Sequence, residues 1–198
     1  MASFVDRMIG AAKLDVNIYE EVEADTSATG QAMTVVVLTA VSAGVGQFAS
    51  EGIPGLIGGI IGQLVAWFVW AFAAYIIGTK LLPEPGTSSN MGELLRTIGF
   101  ASSPGILLVV ALAPMAMMPN LAGIALTVLL ALGIWIWQLV AWVVAVRQAL
   151  DYTSTGRAIA VCVLSFIVYI VALVAVIVVL AILLVALGIA AGAAGGMG

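Results

Sequence analysis

The chain has 198 residues, 64% of them hydrophobic and only 8% charged, with a formal net charge of −4 and no histidine. A water-soluble domain of this size does not leave so much apolar surface exposed, and without histidine there is neither a Ser–His dyad nor a His-ligated metal. The one cysteine, Cys162, leaves no disulfide framework and no thiol-ligated metal centre.

In chain order, the first element is an acidic segment over residues 1–26. It holds Asp6, Asp15, Glu20, Glu21, Glu23 and Asp25 against Arg7 and Lys13, and so carries the whole charge imbalance. Phe4, Met8 and Ala12 share one helical face, and Leu14, Ile18 and Val22 share another with Tyr19 beside it, which predicts short amphipathic helices. A helix that lies on lipid is rich in Lys and Arg on its polar face. This one is acidic, so it is expected to pack on the cytoplasmic face of the protein itself or on a partner. Tyr19 within a rim of Glu20, Glu21 and Glu23 is the candidate partner-binding site. The plain alternative is a solvated lead-in helix to the first span.

Five apolar runs then follow within 27–190, at about 31–48, 56–77, 100–118, 121–146 and 158–187. Each approaches the roughly 20 residues that cross a bilayer as a helix. They do not alternate in polarity as barrel strands do. The fold class is therefore all-α, a polytopic membrane bundle with short amphipathic helices on its cytoplasmic face. No run resembles a signal peptide, because the first apolar stretch follows an acidic cluster rather than a basic one.

Between the second and third runs, Pro83-Glu-Pro-Gly-Thr-Ser-Ser89 reads as a loop, and Asn90-Met-Gly-Glu93 as a helix N-cap. An interfacial helix is expected over 90–99. Ser102-Ser-Pro-Gly105 breaks it, and Pro114 kinks the third span. Irregular backbone at depth needs burial in protein, which places the third span centrally. After the fourth run, Arg147 and Asp151 stand four apart as a helix-surface pair, and Thr153-Ser-Thr-Gly156 supplies the next cap. A Gly/Ala-rich external tail is expected over 191–198.

The six basic residues fix the orientation. Arg7, Lys13, Lys80, Arg96, Arg147 and Arg157 all fall on one side of the five-span arrangement, and none on the other. By the positive-inside rule the N-terminus is cytoplasmic and the C-terminus external. No acidic or basic residue falls mid-span, which weighs against a proton-coupled transporter. Gln63 and Gln138 are the sharpest polar residues within spans, expected as glue between spans two and four, with a ligand or pathway contact as the other reading. Gly55, Gly58, Gly59 and Gly62 form small-xxx-small pairs at the start of span two. They are expected to pack within the chain, with another subunit as the alternative. Trp67, Trp70 and Trp135 fall mid-span by count and either line a shared groove or face lipid.

The order of acidic Tyr19-Glu-Glu-Val-Glu-Ala-Asp25, then Ala28-Thr-Gly-Gln-Ala32, then Gly92-Glu-Leu-Leu-Arg-Thr-Ile-Gly-Phe-Ala101 with Pro104-Gly105, and Arg147-Gln-Ala-Leu-Asp-Tyr152 is informative. Together with five spans, it resembles the prokaryotic branch of the Yip-one domain family, the Ypt/Rab-interacting proteins. The resemblance covers nearly the whole chain. It implies a non-enzymatic membrane protein that works by association, with no catalytic, cofactor or metal residues. The eukaryotic members associate with Rab GTPases at the Golgi and endoplasmic reticulum. This chain lacks their long cytosolic N-terminal region and their Asp-Leu-Tyr-Gly-Pro type motif, so Rab binding is not carried over.

The expectation is a membrane scaffold or accessory subunit, in a prokaryotic cytoplasmic membrane, partnered by other membrane proteins or its own copies and by the lipid bilayer. No cofactor, no nucleic acid and no small-molecule substrate is expected. The alternative is a passive pore, transporter or lipid-handling protein using a groove around the kinked third span.

Overall fold

The computed structural model describes the backbone of residues 2–195, and the side chains of these residues except 46, 47, 49, 50 and 189–195. Among the described residues there is no strand. The helices are α1 (Phe4–Ala12), α2 (Val16–Ala24), α3 (Thr29–Ile76), α4 (Met91–Ala101), α5 (Leu108–Ala111), α6 (Ala113–Met117), α7 (Leu121–Ala149) and α8 (Thr155–Gly195). Five stretches are long and apolar enough to cross a membrane: Thr26–Val45, Glu51–Leu81, Met91–Met117, Leu121–Ala149 and Thr155–Gly188. The protein is an all-α polytopic membrane bundle.

Local chemistry sets most of the boundaries. Ser3 and Asp6 form a reciprocal capping box at the start of α1, and Asn90 and Glu93 form another at α4. Asn120 caps α7 through the Ala122 and Gly123 N–H groups. Two spans are merged in α3 and part at Gly52, whose φ of 66° is the left-handed value that glycine adopts without strain. Pro54 follows in the first turn of the second arm, where its missing N–H costs nothing. Gly44 of the first arm then stands against Leu56 of the second; a Cβ on it would lie 3.0 Å from Leu56 Cδ1.

The third span is irregular, as Pro104 and Pro114 predict. A 3₁₀ turn over Ser103–Leu107 interrupts α4, and α5 and α6 are short. The Met115 N–H donates to Thr127 Oγ1 of α7 at 3.1 Å, so a neighbouring span repairs the damaged ladder. The break at Pro104 lies where the span is enclosed, with Ser103, Pro104 and Gly105 buried, whereas α6 around Pro114 has no buried residue. α4 packs on α1, α2, α3 and α7, and the 3₁₀ turn packs on α1, α3 and α7.

Two expectations differ here. The interfacial helix over 90–99 is not laid on a surface: Leu94, Arg96, Thr97, Ile98, Gly99, Phe100 and Ala101 are all buried by protein. The Gly/Ala-rich tail over 191–198 continues α8 as far as Gly195, and its last three residues lie outside the described ones.

Burial is uneven along the molecule. The core gathers at the end that carries the basic residues, around Tyr19, Val35, Ile98, Phe100, Val146 and Leu150. Tight glycine contacts close it. A Cβ on Gly99 would stand 2.7 Å from Ala32 Cβ, and one on Gly78 would collide with the Leu150 side chain. Gly78 lies in a π turn, Ile77–Leu81, where Tyr152 Oη comes within 2.9 Å of Gly78 O and 2.7 Å of Leu82 O. The most apolar stretch of span five has none of its residues buried.

Candidate interaction surfaces

The acidic segment is folded in on itself. Arg7 is 2% exposed. Its Nε and Nη2 donate to Glu21 Oε1 at 3.1 and 2.8 Å, Nη2 also to Asp25 Oδ2 at 2.8 Å, and Nη1 to Gln31 Oε1 at 3.0 Å. One planar guanidinium thus ties α1, α2 and the entry to span one together. It also holds the Glu21 carboxyl below the ordinary range, the Arg7 hydrogen bond leading and the Ala2 N–H adding to it. At Asp25 the Ser27 hydroxyl contributes most and Arg7 next, again downward.

Of the four residues expected to meet a partner, the structure leaves one on the outside. Tyr19 is fully buried, with its hydroxyl donating to Ala11 O at 2.9 Å, and burial pushes its pKa up. An external protein does not reach it in this arrangement, so the exposed aromatic anchor is corrected to a core residue. Tyr19 is buried with Val22 on the inner side of α2, and its hydroxyl reaches α1. Glu21 is spent on Arg7. Glu23 is half-buried, with Oε2 lacking a hydrogen-bond partner among the described residues. Only Glu20 points freely outward.

Glu23 and Arg96 form a second internal site. Arg96, 4% exposed, donates through Nε to Val22 O at 2.9 Å and Glu23 O at 3.1 Å, and through Nη2 to Glu23 O. A cation on the last carbonyls of a helix suits the helix dipole, and here it caps α2 from 73 residues away. The Glu23 carboxyl itself gains little. Burial, then Glu20, Asp151 and Glu93, push its pKa up to about 7, with Arg96 opposing.

Arg147 does not pair with Asp151. The Asp151 backbone turns left-handed at φ 52° and leaves the helix, so Arg147 instead donates to Tyr152 O and Thr153 O. Glu84, from the Pro83–Ser89 loop, takes up the N-terminus of α8: its carboxylate accepts from Thr153 N, Thr153 Oγ1 and Ser154 N, with Arg157 Nε 3.8 Å away. These bonds, Thr153 first, hold its pKa down.

The glycine face of span two lies differently from the expectation. A Cβ on Gly58 or Gly62 would meet nothing within 4 Å, and a Cβ on Gly55 would meet only its own helix at Glu51. Ile57, Ile61 and Val65 beside them are exposed. So the pairs at Gly55, Gly58 and Gly62 do not bring helices of this chain together, and Gly59 is half-buried on the same arm. Close approaches between elements are made by Gly78, Gly99 and Gly105 instead. At Gly105 a Cβ would come 2.5 Å from both Gln138 Oε1 and Thr39 Cγ2. Gln138 is therefore packed between spans three and four, and no hydrogen bond among the described residues joins it to Gln63, which lines a cavity.

A family model, the Yip1 domain, matches residues 18–177. The chain belongs to the Yip1 domain family. Neither the curated proteins nor the solved structures yield a match. The match runs from α2 into α8, so it takes in the first four spans and the first part of the fifth, with Tyr19 and Arg96. Helix α1, with Arg7, precedes it.

The tryptophans of the Yip1 domain divide into two groups. Trp67 Nε1 donates to Leu95 O at 3.1 Å and Trp137 Nε1 to Ala12 O at 2.8 Å, so both serve the fold. Trp70 and Trp142 stack with ring centroids 5.0 Å apart, and neither indole N–H has an acceptor among the described residues. With Trp135 they line two adjoining cavities of about 320 and 200 Å³ between spans two, four and five. Span three, around which a groove was expected, contributes Ile98 and Ser102 to the smaller cavity.

Proposed function

We propose that this Yip1 domain protein is a non-catalytic membrane scaffold or accessory subunit, working by association with other membrane proteins or with copies of itself. The observation that carries the reading is the outward glycine face. Gly58 and Gly62, one helical turn apart, have open space where a side chain would stand. In a membrane, where lipid tails are as apolar as leucine, helices associate by close backbone approach at such positions. The bare outer half of span five adds a second face free for a neighbour. Family membership supports a membrane role of this kind. The six-to-zero placement of basic residues supports a cytoplasmic N-terminus and an external C-terminus in a prokaryotic cytoplasmic membrane.

The acidic hairpin enters this reading in a reduced form. With Tyr19, Glu21 and Glu23 engaged internally, its outward carboxylate is Glu20, and its main role is to close the basic end of the bundle over α4.

A photo-crosslinking amino acid at Ile57 or Ile61, activated in intact membranes, tests the proposal. It should trap an adduct heavier than the single chain, and the adduct should vanish when Gly58→Leu and Gly62→Leu are combined. Crosslinking to lipid alone at both positions would refute association through this face.

A further inference from the structure

We infer that the tip of the α1–α2 hairpin, residues 9–18, is immersed in the bilayer leaflet at the basic end of the bundle, with Val5, Ile9 and Val16 against the acyl chains of its phospholipids. This surface is separate from the glycine face of span two.

Depth is set by two contacts. Trp137 Nε1, on α7, donates to Ala12 O at the tip at 2.8 Å. Trp137 stands 16 residues from Leu121 along α7, about 24 Å at the helical rise, against a hydrocarbon layer of about 30 Å. Further back on α1, Arg7 reaches Gln31, and Gln31 is 21 residues from the Gly52 kink, about 31 Å by the same count. The Arg7 network therefore marks the basic-end boundary of the hydrocarbon, and the tip lies about 6 Å inside it, within the roughly 5–10 Å to which interfacial helices sink.

The backbone of the tip is completed for such a place. A helix that ends in water leaves its last carbonyls to the solvent, whereas in lipid each needs a donor from the protein. The last four carbonyls of α1 all have one. Ile9 O accepts from Lys13 N at 2.9 Å, and Gly10 O from Asp15 N at 3.0 Å. Ala11 O accepts from Leu14 N and Tyr19 Oη, and Ala12 O from the Trp137 indole, 125 residues away in the chain.

Charge is distributed to match. The acids that lipid would repel stand toward the other end of the hairpin: Asp6 in the first turn of α1, and Glu20, Glu21, Glu23 and Asp25 from the middle of α2 onward. Between Met8 and Tyr19 the only charged residues are Lys13 and Asp15. Asp15 caps α2, accepting from Asn17 N and Nδ2 at 3.0 Å. Lys13 has a stem long enough to carry its ammonium up to the phosphates. The outward face of the hairpin is apolar. Val5 and Ile9, one turn apart on α1, and Val16 across the turn are 57%, 48% and 43% exposed. Trp137 and Val140 continue this exposed apolar surface onto α7, a membrane span whose outer neighbours are lipids. The same lipids cover the tip.

The test uses the full chain in phosphatidylcholine vesicles. On a Cys162→Ala background, a nitroxide is attached at Ile9→Cys or Val16→Cys. Ser88→Cys, exposed in the 83–89 loop, is the aqueous reference, and Val178→Cys, exposed in span five, is the hydrocarbon reference. Collision with oxygen, which concentrates in lipid, is compared with collision with a water-soluble nickel chelate. The oxygen-to-nickel ratio at positions 9 and 16 should be at least threefold that at 88 and lie toward that at 178. A ratio less than threefold above that at 88, at either position, would overturn the immersion and leave the hairpin in water. Low collision with both reagents would overturn it in favour of a partner protein or a second copy over this face. If the labelled variants do not melt like the parent, the unmodified chain answers in nanodiscs. Phosphatidylcholine with a nitroxide near the ester end of one acyl chain should broaden the amide signals of residues 9–16 at least threefold more than those of 84–89, and a soluble gadolinium chelate should do the reverse. Equal broadening of the two segments by either agent would overturn the immersion.

Discussion

Replacing Arg7 by methionine should detach the acidic hairpin from the bundle without unfolding the spans. The side chain is 2% exposed and serves Glu21, Asp25 and Gln31 at once. Methionine keeps much of the stem but removes every donor. Breaking a fully buried ion pair by deleting one partner costs roughly 3–5 kcal/mol, because the other charge stays behind unpaired. Here the remaining carboxylates have a way out: Glu21 is 29% and Asp25 12% exposed, and Asp25 keeps its bonds from Ser27. The cost should accordingly fall to about 2 kcal/mol, and it should be local. Amide hydrogen exchange in detergent or nanodiscs measures it directly: about 2 kcal/mol corresponds to roughly 30-fold faster exchange through local opening. That acceleration is expected for α1 and α2 but not for the middle of α7. Arg7→Lys, which keeps the charge but not the fork, should fall between the two. Exchange in 4–24 within threefold of the parent for Arg7→Met would refute the view that this guanidinium holds the hairpin down.

Glu23 gives a pH prediction. Its folded pKa of about 7 lies above the ordinary 4.5, so the folded state holds the proton more tightly, and the contribution present below pH 4.5 is lost as pH rises through 7. The groups facing it are Glu20 on α2, Glu93 and Arg96 on α4, and Asp151 after α7. Discounted for its partial exposure, the loss should be about 1–2 kcal/mol between pH 5 and 8. Glu23→Gln should flatten that part of the pH–melting profile and melt higher than the parent at pH 8; a profile parallel to the parent's would contradict this. Gly99→Ala, pressed against Ala32, should lower stability by about 1–3 kcal/mol. Gly58→Ala, with nothing within 4 Å, should leave the melting of the single chain unchanged or raise it. Equal effects would refute the assignment of inner and outer glycines. Reporter fusions after Gly198 and within 85–90 should report opposite sides of the membrane; the same side for both would overturn the five-span topology.

The spans were legible because a membrane helix declares itself by length and composition, and the third span announced its own irregularity through Pro104 and Pro114. The caps at Asn90 and Glu93 could be read for the same local reason. What periodicity does not carry is the pairing of distant charges. Arg96 reads as a cytoplasmic marker among apolar neighbours, yet its partners are the carbonyls of Val22 and Glu23. Arg7 reads as one base in an acidic segment, and nothing local says that Glu21, Asp25 and Gln31 surround it. With those charges consumed, the acidic rim around Tyr19 ceases to be a free surface. Glycines were ambiguous for a related reason: small-xxx-small spacing marks a close contact but not which helix makes it. Here the tight ones include Gly78, Gly99 and Gly105, outside the stretch with the clearest pattern.

The measurement that bears most directly on association as the working principle is the protein mass, after subtraction of detergent, of the species extracted from its own membrane under mild conditions. The account predicts a mass above that of one chain for the parent, and a fall to one chain for the combined Gly58→Leu and Gly62→Leu variant, with an unchanged melting profile. A parent that already runs as one chain, or a double variant that keeps the parent's mass, would contradict it.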